Sequence, residues 1–164
     1  MKAFASLVDR LTYTASAAAK AALLTHYFRS TPDPDRGIAL AILIDEISFK
    51  RPTRRLLSEL VSPCLDPLDY QVCRDYVGDT AETLALLWPQ PTAAAPSAEP
   101  TLATVCSRLA VVDPGELAAL VTELLDGLDV TGRWVLFKLL AGELGIGVTA
   151  RLAKAAAAAL AATP

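Results

Sequence analysis

The chain has 164 residues, of which 53% are hydrophobic and 20% charged, a balance that allows a buried core and excludes a wholly disordered chain. Its formal charge of −3, from 15 Lys and Arg against 18 Asp and Glu, is not the positive excess that is typical of nucleic-acid-binding domains. The sequence has no apolar run that predicts a signal peptide or a membrane-spanning helix, so we expect a soluble, cytoplasmic protein.

Helical periodicity runs through the first part of the chain. The first predicted helix covers residues 2–13, because its apolar side chains repeat at the i, i+3, i+4, i+7 spacing of one helix face. The side chains of that face are Phe4, Leu7, Val8 and Leu11. A second helix is predicted over residues 16–29 and a third over 36–44, separated by prolines that cannot continue a helix.

Three further helices are predicted before residue 89. Pro52 fits the first turn of a fourth helix, with four aliphatic residues expected in the core. These four residues are Leu56, Leu57, Leu60 and Val61. Asp66 followed by Pro67 predicts the start of a fifth helix, whose apolar residues are spaced four apart. Asp79 and Glu82 have the spacing of a capping box and predict the start of a sixth helix.

A proline-rich segment divides the chain into two helical halves. Residues 89–100 contain four prolines and no large apolar side chain, which is typical of a linker. We therefore predict a first helical half over residues 1–88, a linker over 89–100 and a second helical half over 101–164.

The second half also has helix signals. Thr101 is predicted to cap a helix that runs to about residue 112. Asp113 to Glu116 repeats the pattern of cap, proline and capping box before an aliphatic helix. Residues 129–132 are predicted as a turn, and residues 133–141 as a helix with Trp134 facing the core.

The last segment combines a glycine-rich turn with a final helix. Residues 142–147 contain three glycines, so they are a poor helix interior. Thr149 is predicted to cap a helix over residues 150–162. The whole pattern predicts an all-α fold of about ten helices in two packed halves.

No residue pattern indicates catalytic chemistry or a metal site. His26 lies in a helical stretch beside apolar residues and is interpreted as a partly buried structural histidine. The acidic pairs at 33/35 and 45/46 are interpreted as solvated loop or helix-end acids. There is no phosphate-binding glycine loop and no dinucleotide fingerprint. The cysteines have unrelated spacings that predict reduced thiols and no zinc site; they are Cys64, Cys73 and Cys106.

Two predicted helix starts follow a glycine. Gly78 precedes the cap Asp79 and Thr80, and Gly147 lies two residues before the cap Thr149. A helix N-terminus offers free backbone N–H groups and about half a positive charge. Because glycine lets another backbone approach closely, such a start can hold a phosphate without a lysine. The alternative interpretation is ordinary helix capping after a glycine turn.

Basic residues are concentrated in two places. Residues 50–55 contain four basic side chains and no acid, and residues 133–164 contain four with one acid. Arg151 and Lys154 lie one turn into the last predicted helix, on nearly one face. These positions favour phosphate contacts, whereas the alternative is a set of ordinary solvated charges.

Three segments of the sequence form an ordered series of motifs. The first extends from Phe4 to Lys20 and continues through residues 27–40. The second is Asp75-Tyr76-Val77-Gly78-Asp79 and its continuation to Pro89, and the third covers residues 131–142 and 147–154. Together they resemble the N-terminal DNA-binding domain of bacterial ATP-dependent DNA ligases, over nearly the whole chain except residues 89–100.

The resemblance implies an all-α domain that grips nicked duplex DNA, mostly through sugar–phosphate contacts across the minor groove. Such binding is largely independent of sequence and sensitive to salt. It also implies that a nucleotidyltransferase domain and an OB-fold domain follow on the same polypeptide, for DNA repair, replication and recombination. In such ligases a lysine in a Lys-x-Asp-Gly motif takes AMP from ATP, and none of the five lysines here has that context. We therefore expect no cofactor and no sealing activity in this chain, since ATP and magnesium belong to the full-length enzyme.

One position departs from the family's pattern. Relatives tend to have arginine in a Gly-x-Leu-Arg-x-Gly turn before the last helix, and here that position is Gly145. Together with the net charge, this departure predicts weak DNA binding by the isolated domain. The expected DNA-binding residues, with Asp79 acting only as a cap, are Lys20, Arg54, Arg55, Gly78, Asp79, Thr80, Arg133, Lys138, Gly147, Thr149, Arg151 and Lys154. The alternative function is a helical protein–protein interaction module, although no fixed-period repeat supports it.

Overall fold

The computed structural model describes residues 1–49, 56, 59–60, 63, 65–89 and 99–160. The regular elements in these ranges are all α-helices, so the predicted all-α class is confirmed, and nine described helices are close to the predicted number. They are α1 (Lys2–Thr12), α2 (Ala17–Ser30), α3 (Asp35–Leu43), α4 (Pro67–Val77), α5 (Thr80–Leu87), α6 (Leu102–Val111), α7 (Leu117–Asp126), α8 (Val130–Ala141) and α9 (Ala150–Ala158).

Some predictions fall on residues outside the described ranges. The helix predicted to start at Pro52 is one of them, although two of its expected core residues, Leu56 and Leu60, are described and buried. The basic run at 50–55, the middle of the predicted linker at 90–98 and the end of the chain from residue 161 also lie outside.

One hydrophobic core joins helices from both sides of the linker. The most extensive contacts pair α2 with α9, and α8 with both α5 and α1. Val135, Leu136 and Leu140 of α8 are fully buried at these contacts, and burying each such side chain stabilises the fold by about 1.5–3 kcal/mol. The two predicted halves are therefore divisions of the sequence that share a core.

The helices α1 and α4 use their apolar residues differently. All four residues of the predicted α1 stripe are buried, as the periodicity indicated. By contrast, α4 has no buried residue although it packs against α5, and its residues Leu68, Val72 and Tyr76 are exposed. Spacing alone did not distinguish these two cases, because burial depends on which neighbour covers the stripe.

Two predicted helix boundaries were wrong. Residues 130–132 are helical, not a turn, because the Asp129 side chain accepts a hydrogen bond from the Gly132 N–H at 2.8 Å and caps α8. A Cβ at Gly132 would lie 3.2 Å from Leu128 and from Asp129, which explains a glycine inside this helix. The capping box predicted at Asp113 does not form, since the Glu116 N–H bonds to the Asp113 carbonyl in a separate turn before α7.

The start of α6 is closed by a residue from another helix. Asp35, at the start of α3, accepts hydrogen bonds from the Leu102 N–H at 3.1 Å and from the Ala103 N–H at 2.9 Å. The Thr101 hydroxyl accepts from the Thr104 N–H at 3.1 Å. Asp35 is therefore an acid at a helix end, as interpreted from the sequence, but its carboxylate is bound to backbone N–H groups and joins the two halves.

Candidate nucleic-acid interface

The turn before α9 is built around glycines in the left-handed conformation. Gly142 ends α8 with φ of 78°, and Gly145 and Gly147 follow with φ of 67° and 59°. Side chains rarely adopt this conformation, which costs an ordinary residue about 1–2 kcal/mol. Thr149 then returns to extended backbone and its hydroxyl accepts from the Leu152 N–H at 3.2 Å, so the predicted cap of α9 is confirmed.

Lys20 holds this turn from the side of α2. Its Nζ donates to the Ile146 carbonyl at 2.6 Å and to the Gly147 carbonyl at 3.3 Å. A Cβ added at Gly147 would lie 2.8 Å from the same Nζ, so the ammonium group sits directly against the glycine backbone. Lys20, which was predicted as a phosphate contact, is thus engaged with two protein carbonyls and braces the turn.

The first turn of α9 leaves backbone donors open. Thr149 satisfies the Leu152 N–H, whereas the N–H groups of Ala150 and Arg151 have no acceptor among the described residues. Arg151 and Lys154 are exposed on the same helix. Free N–H groups, the positive end of the helix dipole and two cations therefore meet at one surface, which suits an anion such as a phosphate.

The start of α5 has a similar backbone but different charges. Gly78, with φ of 79°, ends α4, and the Asp79 carboxylate accepts from the Glu82 N–H at 2.7 Å. The N–H groups of Thr80 and Ala81 have no acceptor in the part of the chain that the structure describes. The predicted cap is confirmed, and this start also leaves two donors open.

The start of α5 lies among both acidic and basic side chains, and the Arg74 Nε donates to the Thr80 hydroxyl at 3.3 Å. An open cavity of about 360 Å³ beside it is lined by Gly78, Asp79 and Thr80 and also by Glu143. The Nζ of Lys138 lies 3.4 Å from the Asp79 carboxylate and 5.6 Å from the ring centre of Trp134. Lys138 and Arg74 are therefore each engaged by protein groups, and the carboxylates of Asp79 and Glu143 reduce the attraction of this helix start for a phosphate.

Open N–H donors alone do not identify a phosphate site, because other helix starts of this protein are capped in the same way. Ser16 and Asp129 cap α2 and α8 in the same way, each through one side-chain acceptor. These starts do not follow a left-handed glycine. The α9 start is distinguished by its glycine turn and its two exposed cations. The α5 start is distinguished by its glycine and has cations that are bound to its own residues, Arg74 to Thr80 and Lys138 to Asp79.

Arg133, which was predicted as a DNA contact, lies in the interior. Only 4% of the residue is exposed, and its Nε donates to the Leu125 carbonyl at 2.8 Å. Its side chain lies on the face of α8 that meets the end of α7, where Leu125 is located. Burial lowers the pKa of the guanidinium, while Asp126 and Asp129 oppose that shift.

The predicted contact residues therefore separate into three groups. Those at the surface of the two glycine-led starts are Gly78, Asp79, Thr80, Gly147, Thr149, Arg151 and Lys154. Those held by other protein groups are Lys20, Arg133 and Lys138. Arg54 and Arg55 lie outside the described residues.

Groups that could do chemistry are not brought together in the described ranges. No cluster of three or more His, Cys, Asp or Glu side chains that could hold a metal occurs there. His26, expected to be partly buried, is exposed. Burial raises the pKa of the Cys106 thiol to about 12, which keeps it in the unreactive protonated form.

Sequence reasoning missed the residues whose partners are distant along the chain. Lys20 and Ile146 are separated by 126 positions, and Asp35 and Leu102 by 67. No local pattern around Lys20 or Asp35 indicates these contacts, since each is created by the packing of helices from different halves.

Among the helices of the described residues, none combines the length and the apolar character that crossing a membrane requires. Comparison of the chain with family models, with curated proteins and with solved structures found no match.

Proposed function

We propose that this chain is a non-catalytic DNA-binding domain of an ATP-dependent DNA ligase. It would grip nicked duplex DNA through sugar–phosphate contacts and position it for a nucleotidyltransferase domain of the same polypeptide. The support comes from the ordered motifs in the sequence and from the surface at the start of α9.

The observation that carries the proposal is the arrangement at residues 145–154. A left-handed glycine turn leads into a capped helix whose first N–H groups are open, and Arg151 and Lys154 project from that helix at the surface. Phosphate groups bind at such helix starts because the N–H groups and the dipole both favour negative charge. The contacts would be to the backbone of DNA and would not read its sequence.

The same structure predicts that binding is weak. Two of the expected cations, Lys20 and Lys138, are engaged by protein carbonyls and by a carboxylate, and Arg133 is buried. The described cations left for phosphate at this surface are Arg151 and Lys154. Few phosphate contacts mean low affinity and a shallow dependence on salt.

A titration of fluorescent nicked duplex with this chain tests the proposal. We expect binding at about 20 mM salt that is lost at about 200 mM salt, since released counterions drive phosphate binding. Absence of detectable binding at both salt concentrations, up to high micromolar protein, would contradict the proposal for this chain alone. Equal affinity at both concentrations would also contradict it.

The second candidate is a helical protein–protein interaction module. The observation that favours it is α4, whose apolar residues Leu68, Val72 and Tyr76 are spaced four apart and are all exposed. Large exposed apolar stripes are typical of protein interfaces. The titration with nicked duplex separates the candidates. The DNA-binding proposal predicts salt-sensitive binding that Val72→Asp leaves unchanged, whereas an interaction module predicts no binding to the duplex.

A further inference from the structure

A small groove lies between α1, α5 and α8, away from the start of α9. Its cavity of about 120 Å³ is lined at its walls by Tyr13, Leu86, Val130 and Trp134, with Asp9 and Glu82 among the lining residues. That volume is about four times the share of a water molecule in the liquid. The groove is thus large enough for one side chain of a partner.

The apolar walls of this groove are unusually exposed. Tyr13 is 81% exposed, Leu86 55% and Val130 44%, while Trp134 is half-buried at the same place. Exposing large apolar side chains singly is common, but three that line one cavity with a tryptophan form a patch. Apolar patches that are rimmed by polar residues are typical of binding sites for other molecules.

The charges at the groove define what it can accept. Asp9 and Glu82 line it, and neither pairs with a lysine or arginine of the described chain. Lys138, the cation next to Trp134, is held by Asp79. Two carboxylates without a cationic partner repel phosphate groups and attract a cation, so the groove disfavours DNA.

We propose that this groove docks a protein segment that presents one aliphatic side chain beside lysine or arginine residues. The aliphatic side chain fills the cavity against Leu86 and Trp134, and the flanking cations face Asp9 and Glu82. Charge complementarity at such a rim steers the partner and selects against acidic segments. The inference does not depend on the proposed DNA-binding function, since it concerns other residues and the opposite charge.

The two tryptophans give a direct readout of the groove. Trp134 lines it, whereas Trp88 is 3% exposed and its indole N–H donates to Asp126 at 2.9 Å. In a ¹⁵N-labelled sample the indole N–H signals of both residues are observed in one spectrum. A ligand in the groove moves the Trp134 signal and leaves that of Trp88 unchanged as an internal control.

The probe is a capped peptide of sequence Lys-Lys-Ala-Leu-Ala-Lys-Lys. We expect a saturable shift of the Trp134 signal with a dissociation constant on the order of 1 mM, as one small anchor allows. Replacing the leucine of the peptide with alanine weakens binding about tenfold, because the anchor loses most of its apolar area. Replacing its lysines with glutamates removes binding at the same concentrations.

Variants of the protein complete the test. The double substitution Asp9→Asn with Glu82→Gln weakens binding of the lysine peptide about threefold or more at low salt, and Leu86→Ser weakens it further. The matched control is Leu68→Ser, which removes an apolar side chain that is 72% exposed on α4 and leaves the affinity unchanged.

Several outcomes would overturn the proposal. They are a Trp134 signal that stays still at about 5 mM peptide, equal binding of the glutamate peptide, and equal loss of affinity in Leu68→Ser and Leu86→Ser. A shift of Trp134 by nicked duplex that grows stronger in the Asp9→Asn, Glu82→Gln variant would also overturn it, because the groove would then belong to DNA.

Discussion

The starts of α9 and α5 share a backbone design and differ in charge. Each follows a left-handed glycine, each is capped by its own side chain, and each leaves two N–H groups open within the described residues. At α9 the neighbouring side chains include the exposed cations Arg151 and Lys154. At α5 they include the acids Asp79 and Glu143 and two cations that protein groups engage, Lys138 and Arg74. A helix start therefore supplies the geometry for binding a phosphate, but the charges of the neighbouring side chains determine whether binding is favourable.

The start of α6 differs from the other two because its first N–H groups are all hydrogen-bonded within the protein. Its first three N–H groups are taken by Asp35 and Thr101, so nothing is left for a ligand. A carboxylate from α3 occupies the place that a phosphate would take. These hydrogen bonds stabilise the fold, and the α6 start is the control for a helix start that has no open donor for a phosphate.

The largest expected effect is on the cations of α9. The double substitution Arg151→Glu with Lys154→Glu should weaken binding to nicked duplex about 100-fold at low salt and reduce the slope of log K against log salt by about 2. The measurement is a titration at several salt concentrations. The matched control is Lys2→Glu with Arg10→Glu, which makes the same change of charge at exposed positions of α1. Equal losses in both variants would show that only net charge matters.

The second largest effect is expected at Lys20, and it shows whether this side chain supports the glycine turn or contacts a DNA phosphate. Lys20→Met removes the hydrogen bonds to the Ile146 and Gly147 carbonyls, so the glycine turn loses its support and DNA affinity should fall about tenfold with an unchanged salt slope. The free energy of unfolding should fall by about 1 kcal/mol, the usual worth of such a hydrogen bond. A salt slope reduced by about 1 would show instead that Lys20 contacts phosphate directly.

A gain of affinity is expected at Gly145. A Cβ at this exposed position meets no atom within 4 Å, so Gly145→Arg adds a cation beside α9 at a cost of about 1–2 kcal/mol for its φ of 67°. Affinity for nicked duplex should rise severalfold, and the salt slope should increase by about 1. Gly145→Ala is the control, with the same backbone cost and no new charge. If both variants bind DNA equally, this turn does not face the phosphates.

The smallest effect is expected at the start of α5. Gly78→Ala places a side chain at φ of 79° with open space around it, so the fold should lose about 1 kcal/mol and DNA affinity should change by less than about twofold. The measurements are thermal unfolding and the same titration. A tenfold loss of affinity would mean that the α5 start contacts DNA despite the carboxylates of Asp79 and Glu143.

The helices were predictable from the sequence because their signals are local. The α1 stripe, the caps Asp66, Asp79 and Thr149 and the glycine turn all depend on residues within a few positions of one another. The error at residues 129–132 arose because an aspartate cap followed by glycine resembles a turn, whereas Gly132 is needed for close packing against Leu128.

The candidate site was predictable only in part. The surface placement of Arg151 and Lys154 follows from their positions on an amphipathic last helix. The engagement of Lys20, the burial of Arg133 and the pairing of Lys138 with Asp79 depend on which helices meet in space. Long-range packing of this kind leaves no local signal, so the sequence does not show which basic residues are engaged within the fold.

The most direct test of the account follows the backbone amides of the three helix starts during a titration with nicked duplex. Spectra of ¹⁵N-labelled protein at low salt should show the largest shifts at Ala150 and Arg151, small shifts at Thr80 and Ala81, and none at Leu102, whose N–H is bound to Asp35. Shifts that are absent from α9, or that are as large at α6 as at α9, would contradict the claim that the open, basic start of α9 is where this protein meets DNA.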